Sequence, residues 1–199
     1  MSAKLYDLPD VLFRAFKCRS FAEDFVEGRF RLGSLAHYLD TPDESRQDSS
    51  EGTASYRDTR GIETTSINGN IREQYVLCCS TNDVDISYLR NKMGEYIVKI
   101  YDPSALAREM ERFLENNCVP TFNGVHGRLA EYTRNEVKHG ELNSSDNFDL
   151  SLRQKNRGNA EESEYRLFFI LSHQDSRFVQ ENHFHVDLGR PLKFAEILV

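Results

Sequence analysis

Apolar residues recur along this chain in short blocks whose spacing predicts a series of strands and helices. VLFRAF (residues 11–16) predicts a short strand, and RFRLGSLAHY (29–38) alternates apolar residues with arginines, which is the period of a strand. Between these blocks, Ser20 is placed as an N-cap, Glu23 completes a capping box, and Gly28 supplies a stop signal. The sequence therefore predicts a strand, a helix and a second strand within the first 38 residues.

The later blocks predict more strands than helices. Asn68-Gly69 is the strongest hairpin signal in the chain. We expect helices from Asp85 to Lys92 and after Pro103, where apolar residues recur three and four positions apart. Strands are predicted in YVLCCS, GEYIVKIYD, VPTFNGVHGRLAEYT, EYRLFFILS and FHVDLGRPLKFAEIL. The polar stretch 39–60 is too long for an ordinary connection and predicts a functional or mobile loop.

The order of these elements lacks the regular alternation of strand and helix that a doubly wound sheet requires. No G-x-G-x-x-G or P-loop motif is present. No repeat or linker divides the 199 residues, which is one domain's length. We therefore expect a single α+β domain over residues 1–199, with mostly antiparallel strands and a few flanking helices.

Composition indicates a globular protein of the cytoplasm. With 39% hydrophobic and 29% charged residues, the chain lacks the signature of disorder. No apolar run approaches the roughly 18 residues of a membrane span, and the first residues lack a secretory pattern. We therefore expect a cytoplasmic location with reduced thiols and no membrane partner. Cys78 and Cys79 are adjacent in a predicted strand, so they should point to opposite faces.

The net charge of −7 argues against a protein that coats nucleic acid nonspecifically, because such binding depends on neutralising phosphates. Seven of the 25 basic residues are lysine, which leaves 18 arginines. The planar arginine side chain suits bidentate contacts with phosphate or carboxylate. A local phosphate site within an acidic protein is therefore compatible with the composition.

The segment Glu162-Ser163-Glu164-Tyr165-Arg166 is the first candidate for chemistry. If its strand starts near Glu162, then Glu162, Glu164 and Arg166 share one face. Two carboxylates beside an arginine can polarise a hydroxyl or accept a proton. The commoner alternative is a polar strand end with a surface ion pair that contributes little.

Arg14 and Ser34 are the next candidates. Arg14 lies within an apolar strand and must find a partner, because an unpaired buried charge is costly. That partner is either a structural carboxylate or the phosphate of a ligand. Ser34 follows Gly33, which lets a ligand approach the backbone closely.

Two groups of residues raise the question of a metal, although we expect none. The acidic residues of the long loop could bind Mg²⁺ or form a solvated charged surface; they are Asp43, Glu44, Asp48 and Glu51. His183 and His185 share a strand face but have no evident third ligand, which indicates a structural role. No nucleophilic triad pattern is present.

Several segments together resemble a known family. LFRAF, EGRFRLGSL with the acidic loop after it, YVLCCS, the Lys92–Gly94 K-x-G and E-S-E-Y-R look like the DUF2971-type proteins. These are small bacterial and phage-associated proteins whose pattern resembles the ADP-ribosyltransferase fold, a split and mostly antiparallel sheet. The resemblance covers most of residues 11 to 172, and E-x-E-Y-R is among its most specific parts.

The resemblance implies roles for the candidate residues. Glu164 would bind the ribose 2′-OH of NAD and stabilise the oxocarbenium-like centre, and Glu162 would contact the acceptor; either could be the key acid. Arg14 would hold an NAD phosphate or ribose, with Arg166 beside the same cofactor. Ser34 would order the pocket, although RLGSL carries only one hydroxyl of the family's usual S-T-S motif.

Two tyrosines complete the predicted site on their aromatic character alone. Tyr38 or Tyr75 could stack on the nicotinamide ring.

The function that this resemblance implies is mono-ADP-ribosylation of a macromolecule with NAD as substrate. We expect nucleic acid such as RNA as the acceptor ahead of protein, and a toxin of a toxin–antitoxin or anti-phage defence system. An antitoxin protein is then a candidate partner. Two alternatives stay open: a Mg²⁺-dependent nuclease, which the absence of a lysine from E-S-E-Y-R disfavours, and a non-catalytic interaction module.

Overall fold

The computed structural model describes most of the chain. It covers residues 3–40, 52–57, 60, 62–67, 71–81, 83–118, 124–133, 138–139, 150–155, 157–171, 178–180 and 182–198. Within these residues the strands are β1 (Lys4–Leu5), β2 (Leu12–Phe16), β3 (Arg29–Ser34), β4 (Thr53–Arg57), β5 (Glu63–Ile67), β6 (Gln74–Thr81), β7 (Tyr96–Ile100), β8 (His126–Leu129), β9 (Lys138–His139), β10 (Glu164–Ile170), β11 (Val179–Gln180), β12 (His183–Asp187) and β13 (Ala195–Leu198). The helices with described bounds are α1 (Arg19–Val26), α2 (Leu35–Asp40), α3 (Ile86–Lys92), α4 (Pro103–Cys118) and a 3₁₀ helix (Arg157–Glu162), and residues 150–153 are also helical.

Ten of the described strands form one sheet. Its main path runs β1-β8-β10-β6-β2-β7-β13. Off this path, β3 pairs with both β6 and β12, and β12 pairs with β11. β1 and β8 are parallel, whereas the other pairs described in this sheet are antiparallel. Strands β5, β4 and β9 form a separate small sheet. The prediction of a mixed fold with mostly antiparallel strands and a few helices is confirmed.

Strand β6 is the point at which the large sheet divides. One edge of β6 pairs with β10 along its length, from Ser80 opposite Glu164 to Gln74 opposite Ile170. The opposite edge is shared, because β3 pairs with Tyr75 and Val76 while β2 pairs with residues 80 and 81. Residues 77–79 therefore face a gap between the ends of β2 and β3.

The core lies mainly on one face of this sheet. Leu77 of β6 and Leu167 and Phe169 of β10 pack there with helix α4, whose Leu106 and Met110 are fully buried. Burying side chains of this size contributes about 1.5–3 kcal/mol each. On the other face a smaller cluster joins Leu35, Val76, Leu152 and Phe168. The alternation of β10 thus contributes to an apolar cluster on each face of the sheet.

Most of the predicted elements are confirmed, and α1 shows a correction. Asp85 caps α3 by accepting a 2.8 Å hydrogen bond from the Ser87 amide, and α4 begins at Pro103. The predicted Ser20 cap is wrong, because the amides of Phe21 and Ala22 donate to the carbonyl of Cys18 and the helix begins at Arg19. Ser20 consequently lies inside the first turn.

The predicted Asn68-Gly69 hairpin is also wrong. Strand β5, before these residues, pairs with β4 in the small sheet, whereas β6, after them, pairs with β10, β2 and β3. Asn68 and Gly69 themselves lie outside the described residues. Tertiary pairing with β10 decides the position of β6, and a local turn signal carries no information about that partner.

The polar stretch 39–60 is only partly described. The prediction of a loop over 39–60 is wrong at residues 39 and 40, which end helix α2, and at residues 53–57, which form β4; residues 41–51, 58 and 59 lie outside the described residues. None of the described helices is both long and apolar enough to cross a membrane.

Candidate functional site

A cleft of about 1490 Å³ opens where the sheet divides. Small-molecule sites in proteins typically occupy roughly 300–1,000 Å³, so this cleft has room for a dinucleotide. Its basic lining residues are Arg14, Lys17, Arg29, Arg31, Lys92, Lys155 and Arg166, and its acidic ones are Asp24, Glu161, Glu162, Glu164 and Asp187. Among the described residues the cleft is thus biased toward positive charge, although the whole protein carries −7.

Four buried charged side chains meet at the floor of this cleft, and we call them the carboxylate cluster: Lys155, Glu162, Glu164 and Arg166. The Lys155 Nζ atom lies 2.5 Å from Glu162 Oε2 and 2.7 Å from Glu164 Oε2. Arg166 Nε donates to Glu164 Oε1, and Arg166 Nη1 donates to the Leu152 carbonyl at 2.6 Å. Each of the four residues is at most 7% exposed. Opposite charges therefore compensate one another away from water.

The chain builds the carboxylate cluster from two directions. Glu164 and Arg166 project from one face of β10, as predicted. The prediction that Glu162 continues this strand is wrong, because β10 begins at Glu164 and Glu162 ends the 3₁₀ helix. Ser163 adopts a φ of 43°, which turns the chain between the two glutamates. The two carboxylates nevertheless converge, because Lys155 binds both of them.

The surroundings push the two glutamates toward different ionisation behaviour. Burial opposes the charge on Glu164, but Arg166 and Lys155 outweigh it and hold the pKa of this carboxyl well below its usual range. Burial and the charge of Glu164 raise the pKa of Glu162, against the opposing effect of Lys155. Lys155 itself keeps a raised pKa despite burial, because both glutamates favour its charged form. Paired carboxyls whose pKa values are driven apart are typical of acid–base sites.

This arrangement predicts a loss of stability in acid. The folded pKa of Glu164 is depressed, so its contribution is present above the ordinary glutamate value of about 4.3 and is lost as the pH falls toward the folded value. The raised pKa of Glu162 acts in the opposite sense. Urea unfolding at a series of acid pH values should show a steeper loss in the wild type than in Glu164→Gln. Equal slopes in the two proteins would contradict the assignment of this effect to Glu164.

Arg14 lies at the gap in β6, on the other edge of that strand from the carboxylate cluster. Its Nη1 atom donates a 2.5 Å hydrogen bond to the carbonyl of Cys78, whose partner across the other edge is Arg166. The Arg14 Nε atom is buried without a hydrogen-bond partner, and the guanidinium lies 5.4 Å from the Phe16 ring centroid. A carbonyl oxygen does not neutralise a positive charge, so Arg14 brings a cation to the cleft.

Tyr38 lies in the same cleft against strand β3. Its hydroxyl accepts a hydrogen bond from Cys78 Sγ at 3.8 Å, and burial raises its pKa well above the ordinary value. The ring packs onto the backbone of Gly33, where an added Cβ would lie 3.0 Å from ring carbons of Tyr38. Glycine at position 33 therefore allows the ring to occupy this place.

Gly33→Ala should displace Tyr38. A contact of 3.0 Å is tighter than ordinary van der Waals packing, so we expect a loss of roughly 1–3 kcal/mol in the free energy of unfolding. Urea denaturation measures this loss. Gly158→Ala is the matched control, because Gly158 also lines the cleft and an added Cβ there meets nothing within 4 Å. Similar midpoints for the two variants would show that Gly33 does not position the ring.

Ser34 and Tyr75 lie away from the cleft. Ser34 is fully buried, and its Oγ accepts a 3.1 Å hydrogen bond from the His37 amide, which caps helix α2. Tyr75 is also fully buried, with its ring 5.5 Å from those of Phe169 and Phe184. Neither residue is part of the cleft lining. The structure therefore brings together five of the seven predicted site residues, namely Arg14, Tyr38, Glu162, Glu164 and Arg166.

The candidate metal ligands do not assemble within the described residues. His183 and His185 share a face of β12, as their spacing predicts, and both line the cleft. No group of three or more His, Cys, Asp or Glu side chains in the described part of the chain could hold a metal ion. The loop acids Asp43, Glu44, Asp48 and Glu51 lie outside the described residues.

The two adjacent cysteines follow the prediction for neighbours on a strand. Cys78 lies beside Tyr38 in the cleft, whereas Cys79 is buried in the core, where burial raises its pKa to about 11. All four cysteines are free thiols in the structure.

Sequence reasoning missed two residues of the site. Lys155 lies in a polar segment without periodicity, seven and nine positions before the glutamates that it binds. Tyr132 accepts a 2.7 Å hydrogen bond from the Glu164 amide and so fixes the first residue of β10. No local pattern connects either residue with the E-S-E-Y-R segment.

Comparison of the chain with protein-family models, with curated proteins and with solved structures finds no match.

Proposed function

We propose that this chain is an NAD-dependent mono-ADP-ribosyltransferase that modifies a macromolecule. The observation that carries the proposal is the buried Glu164, held by Lys155 and Arg166 at the division of the sheet, with Arg14 on the other edge of β6. A fixed carboxylate in a site shielded from water stabilises developing positive charge far better than one in solvent. The size and the basic lining of the cleft suit a dinucleotide with two phosphates.

The reaction breaks the bond between C1′ of the ribose and the nicotinamide nitrogen. The bonding electrons leave with nicotinamide, whose ring becomes neutral, and positive charge develops on the ribose. Glu164 stabilises this charge, and the acceptor nucleophile then forms a bond to C1′ and loses a proton. Glu162, whose pKa is raised, is placed to accept that proton.

The other cleft residues bind the dinucleotide. Arg14 supplies a cation for the diphosphate, and the face of Tyr38 supplies a surface for the nicotinamide ring. Arg166 acts through Glu164, whose orientation and charge it maintains by its hydrogen bond. The proposed location is cytoplasmic, where NAD is available, and the resemblance to defence-associated proteins suggests a toxin with an antitoxin protein as partner.

The test combines two readouts that are independent of each other. The purified protein is incubated with NAD labelled in its adenylate phosphate, together with RNA, DNA or cell lysate in separate reactions. Label on one class of macromolecule and release of free nicotinamide, both lost in Glu164→Gln, are the expected results. Absence of nicotinamide release from every mixture would refute the transferase and favour a non-catalytic interaction module.

A Mg²⁺-dependent nuclease is the second candidate, and one observation favours it. Lys155 places a lysine beside Glu162 and Glu164, which the sequence of E-S-E-Y-R alone does not supply. Mg²⁺ would have to displace the Lys155 ammonium to reach these carboxylates. A chelator added to the same reactions separates the candidates, because it should abolish nuclease activity and leave nicotinamide release unchanged.

A further inference from the structure

One wall of the cleft is formed by alternate residues of β3 and β12, and we call it the β3–β12 wall. The register places Gly33 opposite His183, Arg31 opposite His185 and Arg29 opposite Asp187, and all six residues line the cleft. The intervening residues of both strands, such as Leu32 and Phe184, point into the core. The wall is thus mostly polar, Phe30 and Val186 also line the cleft, and Gly33 places the inner end of the wall beside Tyr38.

Phe21 extends this wall at helix α1. Its side chain is 49% exposed, although it is a large aromatic residue, and it lines the cleft. The Arg31 guanidinium lies over the Phe21 ring, 5.5 Å from its centroid. An accessible aromatic ring beside an arginine is a combination that binds single-stranded nucleic acid, because the ring stacks on a base and the cation contacts phosphate.

The charges of the wall favour an anionic ligand at Arg31. Arg29 is engaged by Asp24 at 2.7 Å, whereas Arg31 is exposed above the Phe21 ring. Partial desolvation and the neighbouring Arg31 lower the pKa of the exposed His185 ring, which disfavours its charged form. Arg31 is therefore the cation of the β3–β12 wall that is placed to contact a phosphate of a single strand.

We propose that the Phe21–Arg31 pair binds single-stranded nucleic acid, with a base on Phe21 and a phosphate on Arg31, and that this strand is the acceptor. The acceptor role rests on the proposed transferase, whereas the binding does not. Bases of a duplex are already stacked and do not present a free face to a side chain at a cleft mouth. A single strand presents both the base and the phosphate.

Fluorescence anisotropy with labelled oligo(U) and oligo(dT), in the absence of NAD, tests the binding. Phe21→Ala should weaken binding roughly tenfold, and Phe21→Trp should retain it, because stacking of a base is worth about 1–3 kcal/mol. Arg31→Gln should reduce the slope of log affinity against log salt by roughly 0.7, the value for one phosphate contact on a single strand.

The chain offers a matched control in a second exposed aromatic–cation pair. Tyr101 is 43% exposed and lies 4.8 Å from Lys99 Nζ, but neither residue lines the cleft. Tyr101→Ala should leave oligonucleotide binding unchanged. Equal losses in Phe21→Ala and Tyr101→Ala, or no binding by the wild type, would overturn the inference.

The acceptor role has its own readout. Label from NAD should appear on the oligonucleotide, and Phe21→Ala should reduce this labelling. Release of free nicotinamide with water as the acceptor should persist in this variant. Label on protein alone would overturn the acceptor role and assign protein as the substrate. Oligonucleotide binding that depends on Phe21, without any nicotinamide release, would uphold the binding site and refute the transferase.

Discussion

Replacing Glu164 by glutamine is expected to lower the rate of NAD cleavage by at least about a hundredfold, with little change in KM. Glutamine keeps the size of the side chain but removes the negative charge that, in the proposed reaction, stabilises the positive charge developing on the ribose. Removal of one preorganised electrostatic group from an active site costs about 10²–10³ in kcat. Quantifying free nicotinamide over a range of NAD concentrations separates kcat from KM.

Glu161→Gln is the matched control for this variant. Glu161 lines the same cleft three positions earlier, but it is exposed and is not part of the carboxylate cluster. We expect it to keep near-wild-type rates. Thermal unfolding of both variants shows whether they are folded under the assay conditions. A folded Glu164→Gln protein that cleaves NAD at the wild-type rate would remove Glu164 from the chemistry.

Replacing Lys155 by methionine is expected to cost about 3–5 kcal/mol in the free energy of unfolding. The ammonium group lies between Glu162 and Glu164, and all three side chains are buried. Removing one partner of a buried ion pair leaves a charge that is neither solvated nor compensated, which accounts for the size of this loss. Urea denaturation, read as the midpoint at constant slope, measures the change.

Two further variants decide whether the loss of charge is the cause of the lower stability of Lys155→Met. Lys155→Met combined with Glu162→Gln should recover part of the loss, because it leaves one carboxylate in contact with Arg166. Lys193→Met, at an exposed position, should change stability by no more than about 0.5 kcal/mol. If the double variant is no more stable than Lys155→Met, then packing of the lysine stem rather than charge explains the effect.

The Lys155→Met protein should also show a characteristic pH dependence. Lys155 lowers the pKa of Glu162, so in its absence burial and Glu164 should raise that pKa further above its unfolded value. A group with a raised folded pKa contributes stability below its unfolded pKa and loses that contribution as the pH rises. The difference between wild type and variant should therefore be smaller at mildly acidic pH than at neutral pH.

The sequence predicts those parts of the site that lie within one element. Alternation places Glu164 and Arg166 on one face of a strand and sets Cys78 and Cys79 on opposite faces, and the structure agrees. Glu162 joins them by a different route, through the turn at Ser163. A period of two cannot describe a residue beyond the end of its strand, so the prediction of a shared strand face fails there.

Contacts between distant segments account for what the sequence does not reveal. Tyr75 was a candidate on its aromatic character, but the register of β6 turns it into the core, where it packs against Phe169. Lys155 has no periodic neighbours, and its role depends on a turn and a 3₁₀ helix that return the chain to it. Spacing along the chain indicates local structure, whereas these two outcomes depend on which strands and loops meet in space.

Strand β6 gives the cleft a mechanical property of its own. The strand that carries Arg14 is bonded to one end of β6, and the strand that precedes Tyr38 is bonded to the other end. Two walls of the cleft are therefore attached to the same strand, and β10 pairs with the other edge of that strand along its length. Because these two strands are bonded to different ends of β6, the twist of β6 contributes to the separation between Arg14 and Tyr38.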